Sequence, residues 1–429
     1  MKSQVEKIAN KPFLRNVAVM ATGTAMAQII YMALSPIITR MYGPEAYGLM
    51  GAFMAIVAII GPVAALTYPF AIVLPKKNKE AHGLMQISFM ISIGSAAALA
   101  MLLLFFSDFI VNWFNLKHLS SFLFLLPFIA LFSGMLQIAE GWLIRTKQFK
   151  VTARVTVIQA LIVQGSIVLI GIYYPEATVL IIITALAIGF KAVMMISLSQ
   201  IPFLKQTTIG WKNLTELKEL ATKHKDFPAF RAPEVFLDAI TLGVPILLLA
   251  NFFGPASAGF YSIGYTVLSV PAQLIGKSVG DVFYPRISDA KNNGENMTKL
   301  IKQATFYLGL AGIVPYLVII VFGPWLFSFV FGENWWTAGE YARWMALWMF
   351  FRFLNSASLT ALPALSAQAF LLCSTVIFLI AKISAFLIGL YVFSSALAAI
   401  IIAAIAEAVL EIIFLYMTLY FSKKQDQIS

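Results

Sequence analysis

The chain has 429 residues, 60% of them hydrophobic and only 11% charged, with mean hydropathy +0.87 and a formal net charge of +11. A soluble domain carries roughly 25% charged and about 45–50% apolar residues, so this apolar surplus exceeds what a water-soluble core can hold and has to face lipid. The basic balance does not point to nucleic acid, because Lys and Arg sit in short segments between long apolar runs.

A span needs about 20 apolar residues for a hydrocarbon core of roughly 30 Å. That rule predicts spans at 16–39, 46–73, 84–106, 120–142, 155–174, 177–199, 232–252, 257–283, 302–330, 339–363, 368–392 and 395–420. The fold class is therefore all-α, a membrane protein of about twelve transmembrane helices. The first run follows Lys2, Lys7, Lys11 and Arg15 and contains Ala25-Met26-Ala27, the small-x-small pattern of a signal-peptide cleavage site. It stays apolar through Ile38 and has a counterpart later in the chain, so it is expected to be a retained span.

Basic residues orient these spans. Lys76, Lys77 and Lys79, Arg145 to Arg154, Lys205 to Arg231, Arg286 to Lys299, and Lys423 with Lys424 all fall on one side, together with the N-terminal cluster. The other side has little beyond Arg40 and Lys117, alongside Glu45, Asp108, Glu176, Glu333 and Glu340. This asymmetry places both termini in the cytoplasm. The longest polar segment, 201–230, reads as a cytoplasmic linker between an N-terminal lobe, 1–200, and a C-terminal lobe, 231–429. Within it, Trp211 to Leu220 is amphipathic enough for a short helix on the inner membrane surface.

The two lobes look like copies. Gly43-Pro44 and Gly48 fall over Gly254-Pro255 and Gly259 at an offset of 211 (254 − 43), and Leu74-Pro75-Lys76 falls over Tyr284-Pro285-Arg286 at 210 (285 − 75). Gly-Pro suits a turn between helices because Gly frees the backbone and Pro opens the next helix where no donor is wasted. Six spans per copy make a parallel repeat about an axis along the membrane normal, with a central cavity between the halves. That is the architecture of a secondary transporter working by alternating access.

Three stretches carry a family likeness: Gly141-Trp142-Leu143-Ile144-Arg145-Thr146-Lys147-Gln148-Phe149-Lys150; Phe227-Pro228-Ala229-Phe230 through Phe253-Gly254-Pro255 and Ala258-Gly259-Phe260-Tyr261; and Pro271 to Gly276 with Val282-Phe283-Tyr284-Pro285-Arg286. Here the chain resembles the Wzx-type oligosaccharide flippases, polysaccharide biosynthesis transporters whose superfamily includes multidrug and toxic compound extrusion pumps and lipid II flippases. The resemblance implies export of a polyprenyl-pyrophosphate-linked oligosaccharide across a bacterial inner membrane. It also implies polysaccharide polymerase and glycosyltransferases as partners beside membrane lipids. The alternative within the fold is an ion-coupled multidrug or small-molecule exporter. The first span lacks the acidic residue that drug pumps of the superfamily often place there, which weakens that alternative.

Charges at bilayer depth cost at least ~2.5 kcal/mol each and normally face a cavity or a partner. Arg352 lies 13 residues (352 − 339) into the tenth predicted span, about mid-membrane at 1.5 Å per residue. It is the first candidate for holding a pyrophosphate. Lys382 and Glu407 reach similar depths on the last two spans and can pair, with Glu411 one turn further along the Glu407 face. Arg231, Glu234 and Asp238 form one stripe, and Lys277 and Asp281 another, both near the cytoplasmic mouth. The expected substrate contacts are Arg352, Lys382, Arg343, Lys277 and Arg231. The expected gating or ion-coupling groups are Glu407, Glu411, Glu234, Asp238 and Asp281. The first lobe offers amides instead, and Gln28, Gln159 and Gln164 are its expected sugar contacts. On this reading the halves are unequal, an amide-lined one for sugar and a charged one for phosphate.

Other chemistry finds no support. Gly276-Lys277-Ser278 mimics the end of a phosphate-binding loop, but Pro271 stands where that loop needs Gly. The histidines, His82, His118 and His224, are dispersed, so no metal site is expected. Cys373 is alone within an apolar stretch. No catalytic constellation is visible, so no enzyme and no cofactor are expected, with H+ or Na+ as candidate coupling ions.

Overall fold

The structure is a computed structural model. It describes residues 12–113, 117–199 and 214–427, except 277–282, 284, 285, 288, 292, 363, 364 and 366. The described residues are almost entirely helical. In chain order the main helices are α1 (Pro12–Ile60), α2 (Asn78–Trp113), α3 (Leu126–Arg145), α4 (Phe149–Gly171), α5 (Ala177–Leu198) and the short α6 (Leu214–Lys223). Then come α7 (Ala232–Phe253), α8 (Pro255–Pro271), α9 (Met297–Phe331), α10 (Trp336–Leu354), α11 (Ser356–Ala361), α12 (Gln368–Tyr391) and α13 (Ala396–Asp426).

Among the described residues, nine helices are long and apolar enough to cross a membrane. Large apolar side chains such as Leu104, Phe105, Leu186, Phe329 and Ile380 point outward from them. An exposed apolar surface of that extent needs hydrocarbon around it, and helices alone satisfy their backbone there. The chain is thus an all-α, multi-pass membrane protein.

The difference between nine and about twelve has physical causes. The first candidate runs from Val19 to Val63 as one 45-residue stretch, although Gly43 breaks it with φ 70° and ψ 174°. At 17 residues, α8 is ~26 Å long at 1.5 Å per residue, short of a roughly 30 Å core. Helix α10 carries Glu340, Arg343 and Arg352 within its 19 residues. Three predicted boundaries also need correcting. The span at 46–73 stops being α-helical at Ile60, because Pro62 and Pro69 remove backbone donors and the chain continues as 3-10 turns at Gly61–Val63 and Tyr68–Val73. The span at 257–283 leaves α geometry at Pro271, and the one at 339–363 breaks at Asn355.

The chain forms two compact units, residues 1–42 with 52–239 and residues 43–51 with 240–429. In the first unit α3 packs against α2 and α5, and α4 against α5. Its core gathers Ile72, Leu84, Trp142, Val155 and Met195. Arg145 closes the 3-10 segment: one guanidinium nitrogen donates to the carbonyls of Ile72 (3.1 Å) and Pro75 (2.6 Å), the other to Asn78 Oδ1 (3.1 Å). The predicted amphipathic helix is α6, from Leu214, while Trp211 to Asn213 lie outside the described residues. Its Leu217 and Leu220 enter the first unit's core, Glu216 pairs with Lys79, and Lys223 pairs with Glu80. The Tyr68 hydroxyl donates to the Ala221 carbonyl (3.1 Å).

In the second unit α10 packs against α8, α9 and α13, and α12 against α13. Asp426, at the end of α13, accepts hydrogen bonds from the Met297 and Thr298 amides (2.8 and 3.0 Å) and so caps α9. The matched turns of the repeat meet each other inside this unit. Gly254 repeats the backbone of Gly43, with φ 86° and ψ 165°. A Cβ on Gly48 would strike the Pro255 carbonyl, and one on Gly259 would strike the Pro44 carbonyl. The contact is reciprocal, residue for residue, at the offset of 211 (255 − 44) read from the sequence. Only glycine allows two backbones this close.

Candidate functional site

Among the described residues, a set of charges with both carboxylates buried lies in the second unit, on α10, α12 and α13. Lys382 Nζ is 3.0 Å from Glu407 Oε1, with side-chain exposures of 2% and 5%. The ammonium also donates to the Thr241 carbonyl on α7 (3.2 Å) and lies 4.9 Å from the centre of the Trp348 ring. The Thr241 carbonyl is available for a sequence reason. Its intrahelical partner would be the amide four residues on, and that residue is Pro245, which has none. A carboxylate, a carbonyl and an aromatic face therefore satisfy Lys382.

Arg352 is held differently. Its Nη1 stands 3.6 Å from Glu411 Oε1, longer than a hydrogen bond, and its side chain is 36% exposed against 4% for Glu411. Glu411 is fixed from the other side by Asn355, whose Nδ2 donates to Glu411 Oε2 (2.7 Å) and to the Glu411 carbonyl (2.8 Å). The break of α10 at Asn355 thus positions the amide that aims the carboxylate at Arg352. The two cations and two carboxylates cancel in charge. One pair is sequestered, and the other presents its cation.

The remaining predicted residues are scattered. Arg343 donates to the Val321 carbonyl on α9 (3.3 Å). In the first unit Arg231 pairs with Glu234 and lies 5.9 Å from the Phe70 ring centre, while Asp238 is exposed on the same helix. Gln28, Gln159 and Gln164 are half-buried on α1 and α4. Lys277 and Asp281 lie outside the described residues. The three histidines bring no metal cluster, and among the described residues no group of three or more His, Cys, Asp or Glu side chains is placed to hold a metal ion.

Sequence reasoning missed one charged pair. Lys191 on α5 stands 3.0 Å from Glu140 on α3. The first half is therefore not purely amide-lined. Each residue is the lone charge inside its apolar run, and that was the available signal.

A model of the family described as polysaccharide biosynthesis protein matches residues 37–340. No curated protein matches the chain by sequence. Among solved structures, the inward-facing conformation of a multidrug resistance MATE family transporter of the MOP superfamily is similar with TM-score 0.76 at 12% identity, covering 94% of this chain and 96% of that one. The lipid II flippase MurJ in an inward closed conformation gives TM-score 0.73 at 15% identity, covering 94% and 87%. A variant of the Vibrio cholerae MATE transporter VcmN gives 0.63 at 13%, covering 97% of each. At such identities the likeness is one of fold. With its family model matched over residues 37–340, well over half its length, the chain belongs to the polysaccharide biosynthesis protein family.

Proposed function

We propose that this protein is a flippase carrying a polyprenyl-pyrophosphate-linked oligosaccharide from the inner to the outer leaflet of the bacterial cytoplasmic membrane. The chain would cross the membrane twelve times, counting the arms of α1 at 12–42 and 44–60 separately and including α8 and α10. Both termini would be cytoplasmic, with lobes 1–200 and 231–429 joined by 201–230. The carrying observation is the asymmetry of the buried pairs. In a chain of a polysaccharide biosynthesis family, the accessible member of the membrane-depth cluster is a guanidinium, and both carboxylates are buried.

A guanidinium presents a planar fork of donors that matches phosphate oxygens. Arg352 would take the pyrophosphate, with Glu411 as its counter-ion while the site is empty. Lys382 and Glu407 would hold α7, α12 and α13 in register, and Arg343, Arg231, Lys277 and the half-buried amides would line the path. Glycosyltransferases would supply the substrate and a polymerase would receive it.

The second reading, a multidrug exporter, is favoured by the MATE transporters that dominate the structural likenesses. Such a protein needs an accessible carboxylate for a cationic drug, and the cluster on α10, α12 and α13 does not present one. Complementation separates the two readings. Arg352→Ala is expected to abolish surface polysaccharide in a deletion strain while folded protein persists. Full activity of that variant would remove the proposed role. Drug sensitivity of the deletion strain with intact polysaccharide would establish the second reading.

A further inference from the structure

The charged pair in the first unit is the counterpart of the one in the second, with the signs exchanged. Counted from the Gly-Pro turn of each copy, with the six-residue α11 left out, α3 corresponds to α10 and α5 to α13. Glu140 stands 14 residues into α3 (140 − 126) and Arg352 stands 16 into α10 (352 − 336). Lys191 stands 14 residues into α5 (191 − 177) and Glu411 stands 15 into α13 (411 − 396). The same two helices of each copy are thus bridged within two residues of the same position, Glu140 to Lys191 at 3.0 Å and Arg352 to Glu411 at 3.6 Å.

The first pair is also open. The Lys191 and Glu140 side chains are 22% and 38% exposed, unlike the sequestered pair of Lys382 and Glu407 at 2% and 5%. A sequestered ion pair is closed to competing ions, whereas a partly exposed one is open to exchange of partners. One turn before Glu140, Gln137 donates to the Gly61 carbonyl (2.7 Å) and fixes that face of α3 against the 3-10 segment. Glu140 therefore stands on a tethered face of α3, opposite the four-carbon stem of Lys191.

We propose that Lys191 is a second anion station, which takes one phosphate-class group while Glu140 serves as its displaceable resident counter-ion. The inference rests on the flippase reading and extends it, giving the first unit a charged contact as well as amides. A carboxylate that stands in for the substrate's anion keeps the lysine ionised and aimed when the site is empty. It also competes with the substrate, so the two residues have opposite effects on affinity. A purely structural tie would give effects of the same sign.

The test is the affinity of the full-length protein in lipid nanodiscs for farnesyl pyrophosphate, measured by calorimetry with farnesol as the uncharged control. Lys191→Gln is expected to weaken binding roughly tenfold, Lys191→Arg to preserve it, and Glu140→Gln to tighten it by about threefold. If Lys191→Gln does not fold, the exchange variant Glu140→Lys with Lys191→Glu replaces it. That variant keeps the tie but moves the cation to α3, so binding should weaken, whereas a structural tie predicts wild-type affinity. Shifts of the same sign in Lys191→Gln and Glu140→Gln would overturn the station. So would unchanged binding in Lys191→Gln beside its loss in Arg352→Gln, and there the flippase reading survives. Wild-type protein that does not bind farnesyl pyrophosphate at all would overturn that reading and the station with it.

Discussion

Removing one member of the Lys382–Glu407 pair should destabilise the protein far more than removing both. At 3.0 Å and an effective dielectric near 20, the attraction between the two charges is about 5 kcal/mol. That gain is offset by the desolvation of two side chains that are only 2% and 5% exposed. Glu407→Gln leaves an ammonium among α7, α12 and α13 with only the Thr241 carbonyl and the Trp348 ring, and Lys382→Met leaves a bare carboxylate. Each single change is expected to cost about 3–5 kcal/mol, while the double change Lys382→Met with Glu407→Leu should lie near wild type. For a unit of this size the loss corresponds to a melting decrease between roughly 6 and 20 °C. Thermal melts of the detergent-solubilised full chain, followed by size exclusion, measure it. Single variants that melt with wild type, or a double variant as unstable as the singles, would refute the reasoning. Transport should survive in the double variant, because the sequestered pair holds helices and the substrate meets Arg352.

Gly48→Ala should be destabilising by about 1–3 kcal/mol because its Cβ meets the Pro255 carbonyl, which is backbone and cannot rotate aside. Gly94→Ala is the control: nothing stands within 4 Å of its Cβ, so the melting temperature should hold or rise. Asp426→Ala removes two amide bonds at the start of α9 and should cost about 1 kcal/mol, read by the same melts. Docking of α6 should weaken in mild acid. Burial, then Lys223, pushes the His224 imidazole below its ordinary value of 6.5, with Glu80 opposing. A lowered value means that the folded state binds fewer protons than the unfolded one. The contribution is therefore full above pH 6.5 and is lost as the pH falls toward the lowered value. Proteolysis near residues 214–231 should accelerate below about pH 6, and His224→Gln should flatten that dependence.

Much of this molecule was legible in its residues. The two Gly-Pro turns at an offset of 211 foretold matching backbone conformations, and each turn proved to lie against the other. Lys382 and Glu407 were placed at compatible depths by counting alone, since helical rise converts position to depth. Arg352 reads as mid-membrane when its helix is extended to 363, but α10 ends at Leu354, two residues on. Hydropathy cannot see that break, at which Asn355 bonds to Glu411. The end of α-helix at Ile60 was written in Pro62 and Pro69, yet apolar length outweighed them in the reading. Lys191 and Glu140 were each visible, but 51 residues separate them and periodicity gives no pairing across helices. The use of the Thr241 carbonyl had a local signature, a proline four residues on, that sequence reasoning had not applied.

The most direct measurement follows lipid-linked repeat units in cells lacking the protein, using an impermeant probe to report which leaflet holds them. Accumulation on the inner leaflet, relieved by the wild-type chain and not by Arg352→Ala, is expected. Normal delivery to the outer leaflet without the protein would contradict the flippase function at its root.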